Sequence, residues 1–279
     1  MLNQILLALG FMTRLPVPHQ LNYSADAMHR ALVFFPLAGW VLAALLSLVW
    51  LVADGLFGSQ VAVVVLVAAS LLMTGALHED GLADCFDGFY GGFETARKLE
   101  IMKDSRLGTY GTCALVLALL FKVVLLLQLA EQGLLILALI VAYPLSRALA
   151  ITHAQDLEYV SAPGKSKSDP LAKPLSDAQL SGLLALGCSG VLVAALILCI
   201  ATGDWRGAVW VSALVAVFVL LACAVARGLL RHWMNKHIQG FTGDALGAAQ
   251  QFQELLIYLV LLACSQATWL RTELTGGWA

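Results

Sequence analysis

Residues His78 to Gly111 read HEDGLADCFDGFYGGFETARKLEIMKDSRLGTYG, an acidic island in an otherwise apolar chain. Of the protein's 18 acidic residues, seven (Glu79, Asp80, Asp84, Asp87, Glu94, Glu100 and Asp104) lie between positions 79 and 104. Runs of Leu, Val, Ala and Ile flank the island on both sides. Asp80, Asp84 and Asp87 follow i, i+4, i+7 spacing, which on an α-helix keeps their carboxylates within about 60° of one another. Like charges at i, i+4 destabilise a helix by a few tenths of a kcal/mol, and a cation held between them reverses that cost. Mg²⁺ suits the role, because it takes carboxylate oxygens while keeping waters and substrate phosphates in its shell. Glu79 stands about 100° off this stripe and is counted beside it as a candidate ligand. The competing reading is a solvated acidic face beside a membrane. Such faces intersperse Lys with Glu, whereas this one sets Asp among Gly and Ala.

Composition makes the chain a membrane protein. Sixty per cent of its 279 residues are hydrophobic and 12% are charged, against about 25% charged in a soluble domain; mean hydropathy is +0.85. The expected fold class is all-α, a polytopic integral membrane protein forming a single domain over residues 1–279. A net charge of −2 gives no footing for nucleic-acid binding. The six cysteines (85, 113, 188, 199, 223 and 264) form no C-x-x-C pair and read as small buried hydrophobes. The start, MLNQILLALGFMTR, lacks the basic n-region and cleavage site of a signal peptide.

Residues 2–12 form an apolar segment too short to cross a core of about 30 Å, so they are expected to lie at the interface or re-enter it, stopped by Arg14, Pro16 and Pro18. Seven candidate spans follow, at 31–53, 60–77, 112–130, 133–152, 181–202, 207–227 and 251–270. With the N-terminus in the cytoplasm, the inner segments and adjoining span ends hold Arg14, Arg30, Arg97, Lys98, Lys103, Arg106, Arg147, Lys165, Lys167, Lys173, Arg227, Arg231 and Lys236. The outer side holds Arg206 and Arg271, and Lys122 falls within a span. Thirteen against two sets the orientation. Every loop long enough to build a site then faces the cytoplasm.

Beyond the acidic stripe, GFTGDALGA (240–248) is a Gly-rich turn opening onto a span. It can present backbone N–H groups to a phosphate and bring Asp244 to a metal, or it is simply a capped helix start with small residues for packing. Lys98, Lys103 and Arg106 flank the acidic helix as phosphate clamps or headgroup anchors. Lys165, Lys167 and Lys173 sit in a Ser/Pro-rich loop, 153–180, expected to be mobile and suited to a diphosphate-bearing substrate or merely to water. His78 has no second His at zinc-ligand spacing. Among intramembrane charges, Arg147 and Glu254 are placed near inner span ends, where they can snorkel, which leaves Lys122 unexplained.

GALHEDGLADCFDGF, followed by KLEIMKDSRLGTYG, resembles the signature of the cobalamin synthase family, the membrane-bound adenosylcobinamide-GDP ribazoletransferases. FMTRLPVP (11–18), FPLAG (35–39), TGALH (74–78) and TGDALGA (242–248) are similar to that family and occur in its order. The chain departs from the pattern at Glu79, where Leu is common, at Cys85-Phe86, at HIQGF before TGD, and through 160–174. The resemblance implies that α-ribazole or its 5′-phosphate attacks the cobinamide-side phosphate of adenosylcobinamide-GDP through a ribose hydroxyl and expels GMP, in the last steps of cobalamin biosynthesis. Such a transfer needs charge neutralisation at the diphosphate, in-line positioning and a base. Asp80, Asp84, Asp87 and Glu79 are then assigned to Mg²⁺, and Asp104, Asp244, Lys103 and Arg106 to catalysis. Arg14, Lys165 and Gly243 are assigned to substrate binding. The resemblance also implies a cytoplasm-facing site at the inner membrane, with other cobalamin-assembly enzymes or a second copy as further partners.

Two rivals stand against this. A CDP-alcohol phosphotransferase also uses Asp clusters on membrane helices, but its D-G-x-x-A-R run fails here, since Asp84 follows Asp80-Gly81-Leu82-Ala83 and no Arg appears. A cation transporter would place carboxylates near the midplane at broken helices, whereas these gather outside the expected spans. The orientation is checked with single cysteines at positions 59, 105 and 166 in a background without reactive thiols. Positions 105 and 166 should label from the cytoplasmic side and 59 from the opposite side. Labelling of 105 from the outside overturns the topology.

Overall fold

A computed structural model describes residues 1–18, 20–160 and 169–267. Helix α1 (Leu2–Met12) is the expected short segment, ended by the extended backbone of Thr13. Ser24 caps α2 (Ala25–Ala31) by accepting the Ala27 N–H at 3.0 Å. The chain then passes through a 3₁₀ turn at Leu32–Phe34 into α3 (Phe35–Phe57). There follow α4 (Ser59–Thr74), α5 (Leu77–Gly91), α6 (Thr95–Ile101), α7 (Thr109–Glu131), α8 (Leu135–Ile151), α9 (Asp177–Thr202), α10 (Trp205–Ile238) and α11 (Gly243–Gln266). Among the described residues, extended chain pairs only at a bridge between Tyr159 and Phe241.

Among the described residues, six stretches are long and apolar enough to cross a membrane, and α4 with α5 makes a seventh only if a pair bent by 86° counts as one span. The expected 60–77 run is the broken one. Gly75 and Ala76 are both left-handed, with φ of 65° and 54°. Gly tolerates that conformation, while Ala pays roughly 1–2 kcal/mol for it. A helix end leaves carbonyls unpaired, and here the Arg14 N–H donates to Met73 O at 2.7 Å. The Arg14 side chain lies over Gly75, where a Cβ would strike its Nε.

Two boundaries differ from the sequence reading. Helix α10 runs 34 residues through the basic stretch expected as a loop, and α11 starts at Gly243 rather than near 251. Thr242 caps α11 by accepting from Ala245 N–H at 3.1 Å. Hydropathy misses this first part of α11 because its Gly, Asp and Gln residues face protein, not lipid. Helices α8 and α11 are largely buried, whereas α7, α9 and α10 expose most of their apolar surface. Leu117, Leu192, Leu196, Trp210 and Leu221 point outward, as side chains do against lipid.

Small residues set the tightest crossings. A Cβ on Gly39 of α3 would lie 2.5 Å from Tyr143 O on α8, and a Cβ on Gly190 of α9 would strike the Ile140 carbonyl one turn earlier on the same helix. All six cysteines are free; Cys85, Cys199 and Cys223 are buried as expected, but Cys113 is exposed.

The crossing of α5 and α11 is as close. A Cβ at Gly81 would lie 2.6 Å from Asp244 O and 3.0 Å from its Cα, backbone that cannot swing aside. Gly81→Ala should therefore lower the melting temperature in detergent, by the equivalent of about 1–3 kcal/mol of overpacking. Gly228→Ala, with nothing within 4 Å of the new Cβ, should be neutral or gain up to about 1 kcal/mol.

Candidate active site

The acidic stripe is helical, and its three Asp residues have different surroundings. Asp80 is exposed, Asp84 is half-buried and Asp87 is buried. Asp84 lies within electrostatic reach of Asp244, Asp80 and Asp87, and Asp244 within reach of Asp80 and Lys103. The close Gly81–Asp244 approach creates this arrangement, because it lays the first turn of α11 against the stripe. The structure thus brings together Asp80, Asp84, Asp244 and Lys103 from three separate stretches of chain.

Asp87 carries a second duty. Its Oδ2 accepts the Gly108 N–H at 2.6 Å and its Oδ1 the Gly111 N–H at 2.8 Å. A Cβ on Gly108 or Gly111 would strike this carboxylate. Asp87 therefore ties the loop that carries Lys103, Asp104 and Arg106 to α5. In that loop Arg106 grips Asp104: its Nε lies 3.0 Å from both carboxylate oxygens, and its backbone N–H 3.1 Å from Oδ1. The Arg106 guanidinium holds the Asp104 carboxyl at about 2, well below the usual carboxylate range, and Asp104 raises Arg106 in return. A carboxylate of so little basicity is a poor proton acceptor near neutral pH.

Other candidates fall elsewhere. Glu79 points away from the stripe and meets Lys122 of α7 at 3.4 Å, because 100° of helical rotation carries it to the opposite packing face. Arg14 lies over the α4–α5 turn. Lys98 is held at the end of α10, 3.3 Å from His237 O. Gly243 opens α11. Lys165 and Lys167 lie outside the described residues, but the chain leading to them is fixed, since Val160 N–H donates to Phe241 O at 2.8 Å and Phe241 N–H to Glu158 O at 2.9 Å. On the far side of that segment, Lys173 reaches Asp26 of α2 at 3.7 Å.

The expectation that Arg147 and Glu254 snorkel is overturned. Both are buried, at 2% and 1% exposure, in one cluster with Lys122 and Glu79. Removing Arg147 from the inner-side count leaves twelve basic residues against two, and the bias stands. Lys122, Arg147 and Glu254 are all visible as charges in apolar runs; their meeting with one another and with Glu79 has no signal in the sequence.

Among the described residues, no three His, Cys, Asp or Glu side chains converge as a protein-only metal cage requires. Mg²⁺ needs no such cage, since it binds through one or two carboxylates and completes its shell with phosphates and water. The crowding of Asp84 by three other carboxylates fits an ion of that kind.

Apolar faces turned outward, a polar seam inside and carboxylates gathered where α5 meets the start of α11 define a polytopic all-α membrane protein with a carboxylate-lined site. The model of the cobalamin-5-phosphate synthase family matches residues 4–262, and the chain belongs to that family. It is 49% identical to an adenosylcobinamide-GDP ribazoletransferase of Pseudoalteromonas atlantica, over 93% of this chain and 91% of that one. It is 42% identical to a protein of the same name from Vibrio cholerae, over 95% of each, and 44% to one from Shewanella amazonensis, over 94% and 95%. No solved structure matches the chain.

Arg106 offers a discriminating substitution. If its fork leaves Asp104 to clamp a diphosphate, Arg106→Lys keeps the charge but loses bidentate geometry, and turnover should fall about tenfold or more, the equivalent of 1.4 kcal/mol. Wild-type kinetics in the Lys variant would make Arg106 a headgroup anchor.

Proposed function

We infer that the protein is an adenosylcobinamide-GDP ribazoletransferase of the cytoplasmic membrane with its site facing the cytoplasm. It transfers the adenosylcobinamide-phosphate moiety to a ribose hydroxyl of α-ribazole or of its 5′-phosphate, releases GMP, and forms adenosylcobalamin or its 5′-phosphate. Family membership across residues 4–262 supports the reaction. The observation that carries its placement is the meeting of Asp80 and Asp84 with Asp244 and Lys103.

Each residue has work suited to its place. Asp80 and Asp84, on one face of α5, would hold Mg²⁺, and the ion would supply Lewis-acid neutralisation of the diphosphate. Asp87, already bonded to Gly108 and Gly111, orients the loop and stands close enough to add to the field. Lys103 and Arg106 bind phosphate oxygens, Arg106 exchanging Asp104 for substrate. The start of α11 at Gly243 adds the partial positive charge of a helix N-terminus. Asp244, brought beside Asp84 and Asp80 by the start of α11, is the base for the attacking hydroxyl. Arg14 braces the bend that aims α5, and Lys165 remains assigned to the substrate's phosphates.

The deciding experiment incubates purified protein with adenosylcobinamide-GDP and α-ribazole, with and without Mg²⁺. GMP release should require both substrates and the cation. Ion flux in vesicles without GMP release would favour the transporter. Asp80→Asn and Asp84→Asn should each insert normally yet lose activity by orders of magnitude, since metal stabilisation of transition-state charge amounts to several kcal/mol. Their double variant should be scarcely worse than either, as groups acting as one unit are non-additive. Near-normal turnover in Asp84→Asn with unchanged Mg²⁺ dependence would move the metal to the surroundings of Asp104 and Asp244.

A further inference from the structure

Four ionisable side chains meet inside the bundle, each from a different helix: Glu79 (α5), Lys122 (α7), Arg147 (α8) and Glu254 (α11). All are at most 5% exposed. Lys122 Nζ lies 3.4 Å from Glu79 Oε1 and 3.1 Å from Glu254 Oε1, and Arg147 Nη1 lies 3.8 Å from Glu254 Oε2. Polar neighbours complete the set. Gln251 donates to Glu79 at 3.1 Å and Gln250 to Glu254 at 2.6 Å, while Tyr258 donates to Glu254 at 3.3 Å. Two charges of each sign make the cluster neutral.

Stability alone gives little reason for this arrangement. Buried ions lose their hydration, and well-packed apolar residues of similar volume often serve as well or better. What the cluster does provide is direction. Glu79 immediately precedes Asp80, and by helical rotation it sits about 80–140° from Asp80, Asp84 and Asp87. While Lys122 and Gln251 hold Glu79, the opposite arc of α5 faces the start of α11. The helix needs such a hold, because it leaves α4 through the bent Gly75–Ala76 turn. It is fixed again by Gly81 against Asp244 and by Asp87 against the loop before α7.

We propose that the Glu79–Lys122–Glu254–Arg147 cluster is a positioning device that sets the rotation and depth of α5, and through them the spacing of Asp80 and Asp84 from Asp244. Lys122 and Glu79 are positioning residues, with no contact to substrate. This rests on the carboxylate site proposed above. Loss of the clasp leaves a folded protein whose site holds the metal–diphosphate poorly, as loss of groups that orient metal ligands does elsewhere.

The test uses Glu79→Gln combined with Lys122→Met. This variant stays neutral, since Glu254 and Arg147 still pair, and should insert and melt near the wild type. The Mg²⁺ concentration for half-maximal GMP release should rise about tenfold or more. Amide exchange through residues 77–91 should quicken while exchange in α8 stays unchanged. Lys122→Arg, which keeps the charge, should remain close to wild type in both. If the double variant does not fold, Glu79→Gln alone, with Lys122 still paired to Glu254, provides the same two measurements and the same expectations. A folded variant with wild-type Mg²⁺ requirement and wild-type exchange in α5 overturns the proposal. If the wild type itself releases GMP without a divalent cation, the metal reading fails, and the exchange measurement alone decides the clasp.

Discussion

The helix break at Gly75–Ala76 is the constraint on which the site depends. A helix end leaves backbone carbonyls unpaired, so two apolar helices can turn sharply on one another only where protein supplies the missing partners. Here the N-terminal segment does so, with the Arg14 N–H on Met73 O and its side chain over Gly75. Without the break α5 would continue along α4; with it, α5 turns by 86° to lie against α7 and α11. The short first helix and the Pro-containing stretch after it thus have a structural purpose at a site more than sixty residues further on.

Much of the architecture was legible in the sequence because lipid exposure and hydropathy are nearly the same signal on outward-facing helices. The spans at α3, α7, α8 and α9 follow the apolar runs, and α1 coincides with its segment. Legibility failed where helices are polar and internal. The start of α11 carries Asp244, Gln250, Gln251, Gln253 and Glu254, and to hydropathy it resembled a loop. The stripe of Asp80, Asp84 and Asp87 was visible from spacing, and Asp244 from its Gly-rich setting. That Asp87 would accept from Gly108 and Gly111, and that Glu79 would face Lys122, depend on packing between segments distant in sequence, which no local pattern encodes.

These findings divide the acidic residues by job. Asp80, Asp84 and Asp244 crowd together where α5 meets α11, Asp87 fastens a loop, Asp104 restrains an arginine, and Glu79 with Glu254 neutralises buried cations. An acidic stretch that looks uniform in composition therefore enters four separate electrostatic arrangements. A substitution at Asp87 would disturb both the field at the cluster and the loop bearing Lys103, so its effect on activity would not by itself identify a ligand.

The uneven hydropathy of the spans has a consequence for how the helices come together. Helices α7, α9 and α10 are far more apolar than α11. The outer helices are equipped to partition into lipid on their own, whereas α11 brings two carboxylates and several amides that lipid would reject. Its natural solvent is the polar seam left by α5, α7 and α8, where Lys122 and Arg147 await a counter-charge. Helix α11 is therefore suited to a place prepared by the other helices rather than to lipid, and its docking there is what sets Asp244 beside the carboxylates of α5.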